Sequence, residues 1–140
     1  MKLYLVQHGE AKEKADDPDR RLTEQGRHDV GRVAGFAGRA GVEVHEIRHS
    51  GKRRAEETAA LLAKHLVPAP RGGRPASPAP NDDVRTVAEL LKRETRPLRF
   101  VGHQPFLERL AGLLVAGDPD RAVVRFQRGG LVCLERDPQT

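Results

Sequence analysis

Short apolar runs alternate along the chain with stretches whose apolar residues recur every three to four positions, a pattern that predicts buried strands with helices packed on them. The first run, Leu3 to Val6, is continuous and stops at Gln7-His8-Gly9. A polar loop carrying Asp16, Asp17, Pro18, Asp19, Arg20 and Arg21 follows. Thr23 then caps a helix on which Val30, Val33, Ala34 and Ala37 share a face, ending near Gly38 or Gly41. Val42 to His49 predicts a second strand through Val42, Val44 and Ile47. It delivers the chain to a helix opening at Ser50-Gly51, with Ala55, Thr58, Ala59, Leu62 and Leu66 along one side. Residues 67 to 80 hold five prolines and predict an irregular surface loop. Asn81 or Asp82 caps a third helix with Val84, Val87, Ala88 and Leu91 facing inward. Leu98 to Val101 predicts the next strand, ending at Gly102-His103. Pro105 at a first helical position opens a helix carrying Phe106, Leu107, Leu110, Leu113 and Leu114. Ala122 to Phe126 and Leu131 to Leu134, separated by Arg128-Gly129-Gly130, predict a closing pair of strands.

These elements predict an α/β fold, three-layer α/β/α with a mainly parallel sheet, and the 140 residues fit one domain over 1–140. No apolar run approaches the roughly 18 residues that span a bilayer, and no small-residue cleavage site follows Leu3-Tyr4-Leu5-Val6. A soluble, unprocessed protein without membrane partners is expected. Cys133 is the only cysteine, which excludes an intrachain disulfide and a multi-cysteine zinc site and fits a reducing cytoplasm. It lies in an apolar strand and reads as core. His45 and His49 are four apart on a strand with no carboxylate or cysteine to complete a set, so no metal site is expected. A net charge of +5 favours an anionic partner. Five aromatic residues and no recognised nucleic-acid motif argue against nucleic acid as that partner. No Gly-x-x-x-x-Gly-Lys-Ser/Thr loop is present, which disfavours a P-loop enzyme.

Three predicted strands run into polar residues: Gln7-His8-Gly9, His49-Ser50-Gly51 and Gly102-His103-Gln104. In a parallel sheet these ends share one edge beside helix N-termini, where α/β proteins bind ligands. Two histidines, the basic cluster Lys52, Arg53 and Arg54, and backbone N–H groups of helix starts make a setting for a tetrahedral anion such as phosphate or sulfate.

Four segments together resemble the histidine phosphatase superfamily, with its phosphoglycerate mutase-like fold, and within it the short SixA-type phosphohistidine phosphatases. Leu5-Val6-Gln7-His8-Gly9-Glu10-Ala11 is similar to the Arg-His-Gly signature after the first strand, and Leu22-Thr23-Glu24-Gln25-Gly26 to the Leu-Thr-x-x-Gly helix start. Ser50-Gly51-Lys52-Arg53-Arg54-Ala55-Glu56-Glu57-Thr58-Ala59 is similar to Ser-Pro-x-x-Arg-Ala-x-x-Thr-Ala, and Val101-Gly102-His103-Gln104-Pro105 to the second histidine motif. The resemblance implies a cofactor-free phosphatase, with His8 as nucleophile, Arg54 as a bidentate phosphate ligand and His103 as donor to the transferring oxygens. It further implies that Gln7, Gly9, Arg21, Ser50 and Gly102 line the substrate site. The implied substrate is a phosphohistidine on a partner protein, as in signal transduction, or a small phosphorylated molecule.

Gln7 stands where the family has arginine. An amide still donates a hydrogen bond, but a charge-assisted one contributes about 1.5–3 kcal/mol against roughly 1 for a neutral one. Reduced activity follows, with Arg21, Lys52 or Arg53 as partial replacements and a phosphate-binding module without turnover as the alternative. No general acid is evident. Asp82 is the candidate proton donor, with Asp83 and Glu10 behind it. Phosphoramidates tolerate that gap, because imidazole, with a reference pKa of about 6.5, leaves far more readily than an alkoxide.

Overall fold

The structure, a computed structural model, describes residues 1–65, 71–75 and 83–137. A five-stranded sheet holds β1 (Lys2–Gln7), β2 (Glu46–His49), β3 (Arg71–Pro75), β4 (Leu98–Gly102) and β5 (Leu131–Glu135) in the order β3-β2-β4-β1-β5. All neighbours are parallel except β1 and β5. Four helices are described: α1 (Glu24–Arg39), α2 (Arg53–Ala63), α3 (Val84–Leu91) and α4 (Phe106–Ala116).

Alternation along the two central strands builds two cores. Leu3, Leu5, Leu98 and Phe100 face one way and join Val84, Val87, Leu91, Phe106, Leu107 and Leu110 of α3 and α4. Tyr4, Val6, Ile47 and Val101 face the other way and join Val30 and Ala34 of α1 and Ala55, Ala59 and Leu62 of α2. This is the expected three-layer α/β/α arrangement. Each buried aliphatic side chain contributes on the order of 1.5–3 kcal/mol, so the layers are held by two separate apolar interfaces.

Helix ends follow local chemistry. The Thr23 hydroxyl accepts from Gly26 N at 2.9 Å, as a cap at that position should. The cap of α3 is Asp83, which accepts from Arg85 N at 2.9 Å; the expected Asn81 and Asp82 lie outside the described residues. Pro105 is the N-cap of α4 and Phe106 its first residue, one position later than expected. Gly117 closes α4 in the left-handed region at φ +74°.

Three expectations need correction. The proline-rich segment is not wholly irregular, because Arg71–Pro75 pairs with β2 as an outer strand, the one place in a sheet where proline is tolerated. Ala122 to Phe126 is no strand. β5 pairs instead with β1, while Val123, Val124 and Phe126 pack as coil on the α3/α4 core, so burial without sheet pairing accounts for their apolar character. Cys133 is exposed, not core, because β5 is itself an outer strand.

Candidate active site

Register brings the three polar strand ends level. Gln7 is paired with Gly102, and His49 with Val101, so His8, Ser50 and His103 leave the sheet side by side. The His8 amide continues the ladder for one more bond, donating to Gly102 O at 3.1 Å. The rings of His8 and His103 lie 5.0 Å apart between centroids, tilted by 53°. His103 Nε2 shares a hydrogen bond with the Ser50 hydroxyl.

The tautomer of His8 follows from its partner. Nδ1 lies 2.7 Å from Gly9 O, and a carbonyl can only accept, so Nδ1 carries the proton and Nε2 keeps its lone pair. The loop behind it is wedged in place. A methyl at Gly9 would sit 2.8 Å from a Val30 methyl, and one at Gly26 would overlap the Glu10 carbonyl. The glycines of the first two motifs thus let the nucleophile-like loop and the start of α1 pack backbone to backbone.

Thr58 ties this loop to α2. Its fully buried hydroxyl accepts from Gly9 N at 3.1 Å and donates to Arg54 O at 2.8 Å. Arg54 sits in the first turn of α2, where Lys52 provides no side-chain cap, so the first N–H groups of the helix stay open to a ligand. Gly51 turns the chain into α2 at φ +87°, a conformation closed to the proline of the family pattern. Its amide donates to His49 Nδ1 at 3.1 Å, which gives that buried histidine a structural role.

Positive charge gathers around these groups. Burial, then the positive charges of Arg54, Arg20 and Arg128, push His8 down to about 4 against the hydrogen bond to Gly9. Burial, the neighbouring His8, and Arg54, Lys52 and Arg20 push His103 down to about 3. Burial followed by Arg20 also lowers Arg54, whose Nε is buried without a hydrogen-bond partner. Glu10 stands 3.8 Å from Arg128, and holding the remaining cations this close is costly unless an anion joins them.

The remaining predicted residues divide. Ser50 and Gly102 touch His103 and His8 as described. Gln7 is half-buried beside them at the end of β1. Arg21 is turned elsewhere, its Nε 3.0 Å from Asp17. Its neighbour Arg20 is the one whose charge reaches His8, Arg54 and His103. Arg20 is held at φ 50° and bonds Lys12 O through Nε at 3.1 Å. A non-glycine residue in that region stores strain of order 1–3 kcal/mol, a feature that gathers at ligand sites. Two adjacent arginines in a loop carry no periodic signal to say which faces the cleft. Lys52 and Arg53 are exposed, and Arg53 pairs with Glu56 at 3.3 Å. Glu10 accepts from Thr23 Oγ1 at 3.0 Å, Asp83 is spent on its cap, and Asp82 lies outside the described residues. Thr58 and Arg128 escaped the sequence reading: Thr58 looked like one more inward helix position, and Arg128 like a turn residue. Among the described residues no group of three potential metal ligands occurs, and no helix is long and apolar enough to cross a membrane.

Residues 3–71 match the family described as histidine phosphatase superfamily, branch 1. No curated protein matches the sequence. Among solved structures, the protein histidine phosphatase SixA bound to tungstate superposes with a TM-score of 0.84 at 22% identity, over 99% of this chain and 90% of that one. A SixA-type protein from Agrobacterium tumefaciens gives 0.76 at 23% identity, over 96% and 91%. A mycobacterial glucosyl-3-phosphoglycerate phosphatase carrying VO3 gives 0.66 at 20% identity, over 96% and 90%. The sequence of residues 3–71 thus matches the histidine phosphatase superfamily, and the whole chain has the expected phosphoglycerate mutase-like architecture.

Proposed function

We propose that this chain is a phosphohistidine phosphatase that works without metal, through a phosphoryl group carried on His8. The observation that carries the reading is the Nδ1–Gly9 carbonyl contact, which leaves a neutral Nε2 lone pair beside His103 and Arg54. The superfamily match and neighbours that hold tungstate or vanadate support phosphatase chemistry and phosphate binding. The likeness to SixA points to phosphohistidine.

In this scheme His8 Nε2 attacks phosphorus, the P–N bond to the substrate breaks, and that imidazole, protonated on its far nitrogen, leaves as a neutral ring. No carboxylic acid is required for that departure. Arg54, Arg20, His103, the Ser50 hydroxyl and the open first turn of α2 hold the phosphoryl oxygens as charge shifts between them. Water then attacks phospho-His8 and releases inorganic phosphate. Gln7 contributes a neutral donor where a second guanidinium would add charge. The whole chain acts as one catalytic domain, on a phosphorylated protein or a small phosphoramidate in the cytoplasm.

Rapid mixing with phosphoramidate tests this. A burst of acid-labile, base-stable phosphate on the protein, lost in His8→Ala, is the expected result. Turnover retained in His8→Ala removes the nucleophile. Phosphate binding with neither burst nor turnover makes the chain a binding module instead.

A further inference from the structure

One face of α1 is left uncovered. Gly31, Arg32, Gly35, Phe36 and Arg39, together with the 127–131 loop, line an open groove of about 910 Å³. Phe36 is 67% exposed on it. Arg32 and Arg39 form no ion pair with a described residue, whereas Arg27, a little over a turn earlier on the helix, is held by Glu57. The carboxylate on this groove, Asp29, already accepts from the Gln25 amide at 2.7 Å.

The glycines of α1 sharpen the picture. Gly26 and Gly38 are pressed against the backbones of Glu10 and His65, so packing within the chain accounts for both. Gly31 has nothing within 4 Å where a methyl would stand, and Gly35 has only the Arg39 guanidinium. Glycine is among the poorest helix formers, and no contact among the described residues requires it at those two positions.

The groove reaches the loop that packs on the backbone of His8. Its end is formed by Arg128 and Gly129, and the Gly129 amide donates to Gln7 O at 2.8 Å and His8 O at 3.2 Å. Arg128 also adds to the positive field on His8 and stands 3.8 Å from Glu10. A chain lying along α1 would therefore reach the cleft at the nucleophile. An open trough of this extent suits a polypeptide segment better than a small molecule. Its cations are matched by an acidic segment, and the chain as a whole carries +5. With Phe36 as its exposed ring, the groove has little of the stacking surface that single-stranded nucleic acid uses.

We propose that this groove docks an acidic segment of the protein that presents the phosphohistidine. The inference rests on the phosphohistidine reading for what enters the cleft, and on the groove alone for what lies beside it. The test uses two synthetic peptides of equal length, each with one phosphohistidine, flanked by glutamates in one and by neutral residues in the other.

The glutamate peptide should have the higher kcat/KM by about tenfold at low salt, a gap that closes in 0.5 M salt. The charge reversal Arg32→Glu with Arg39→Glu should erase the gap while turnover of phosphoramidate stays at the wild-type level. Equal kcat/KM for the two peptides in the wild type, or a gap that survives the reversal, overturns the proposal. So does a single-stranded oligonucleotide that displaces the glutamate peptide at lower concentration than the neutral peptide does. If phosphoramidate is not turned over at all, the phosphatase reading fails by itself. Fluorescence anisotropy of the unphosphorylated glutamate peptide, with and without the charge reversal, then still decides the groove.

Discussion

Burial lowers the pKa of both Arg54 and Arg99, yet the two have opposite fates. Arg54 sits at the open edge of the sheet, half-buried, with neighbours that are themselves cationic or neutral. Arg99 sits in the middle of β4, fully buried, level with Tyr4 on one side and Ile47 on the other. None of its three guanidinium nitrogens has a hydrogen-bond partner, and its charge lies 5.6 Å from the centre of the Tyr4 ring. Burial pulls Arg99 down to about 10, partly offset by Tyr4. In the proposed function, the desolvation that readies Arg54 for an anion is, at Arg99, only a cost, because no anion can reach it. What separates a binding cation from a structural one here is access, not burial.

The sharpest way to break that contrast is to remove each charge in turn. Arg54→Ala should lower kcat/KM on phosphoramidate by roughly 10²–10³ with the fold intact by circular dichroism, the range for losing one donor to developing charge. Arg99→Met should leave kcat/KM within about twofold, as expected for a buried ion replaced by an apolar group of similar length. Equal losses would end the distinction.

Adding charge at the accessible edge sharpens it. Gln7→Arg should raise turnover or tungstate affinity by about 10- to 100-fold, the equivalent of exchanging a neutral hydrogen bond for a charge-assisted one. An unchanged constant would mean that Arg20 and Arg128 already saturate the cleft.

Thr58 couples the two motifs, so its effect should be one of stability as well as rate. Thr58→Val keeps the shape but strands the Gly9 amide, and chemical denaturation should show a loss of about 1–3 kcal/mol. Unchanged stability would show that the loop finds another acceptor.

pH acts on the same accessible edge. His8 and His103 have folded values near 4 and 3, below the unfolded value of about 6.5, so the unfolded chain binds more protons in that interval. Stability should therefore fall as pH drops from about 6.5 toward 4. Bound tungstate should reverse part of the loss, since an anion favours the protonated rings, and the Tm gain from tungstate should grow as pH falls. Arg99→Met should leave that pH response untouched.

Much of this was legible in the chain. A continuous apolar run marks β1, and Leu98, Phe100 and Val101 mark β4; because both end in Gly-flanked histidines, parallel pairing alone makes His8 and His103 neighbours. The Thr23 cap and the apolar faces of α1 and α2 follow from the same periodicity. Other features answer to forces that leave no periodic trace. Arg99 occupies a strand position whose burial is decided by the helices that cover it, not by its own polarity. The Arg71–Pro75 strand exists because an outer position forgives proline. The choice between Arg20 and Arg21 is made by a left-handed turn and by Asp17, neither visible in the spacing.

The position of β1 carries a consequence for how the molecule comes together. It is synthesised before both of its neighbours, which come from residues 98–102 and 131–135. The strand that presents His8 must wait, unpaired, until those distant residues have been made. Distant pairings of this kind are slow to form and expose sticky edges meanwhile. Loss of β5 would therefore strike first at β1, and His8 acquires its setting only once residues far beyond it along the chain have been made.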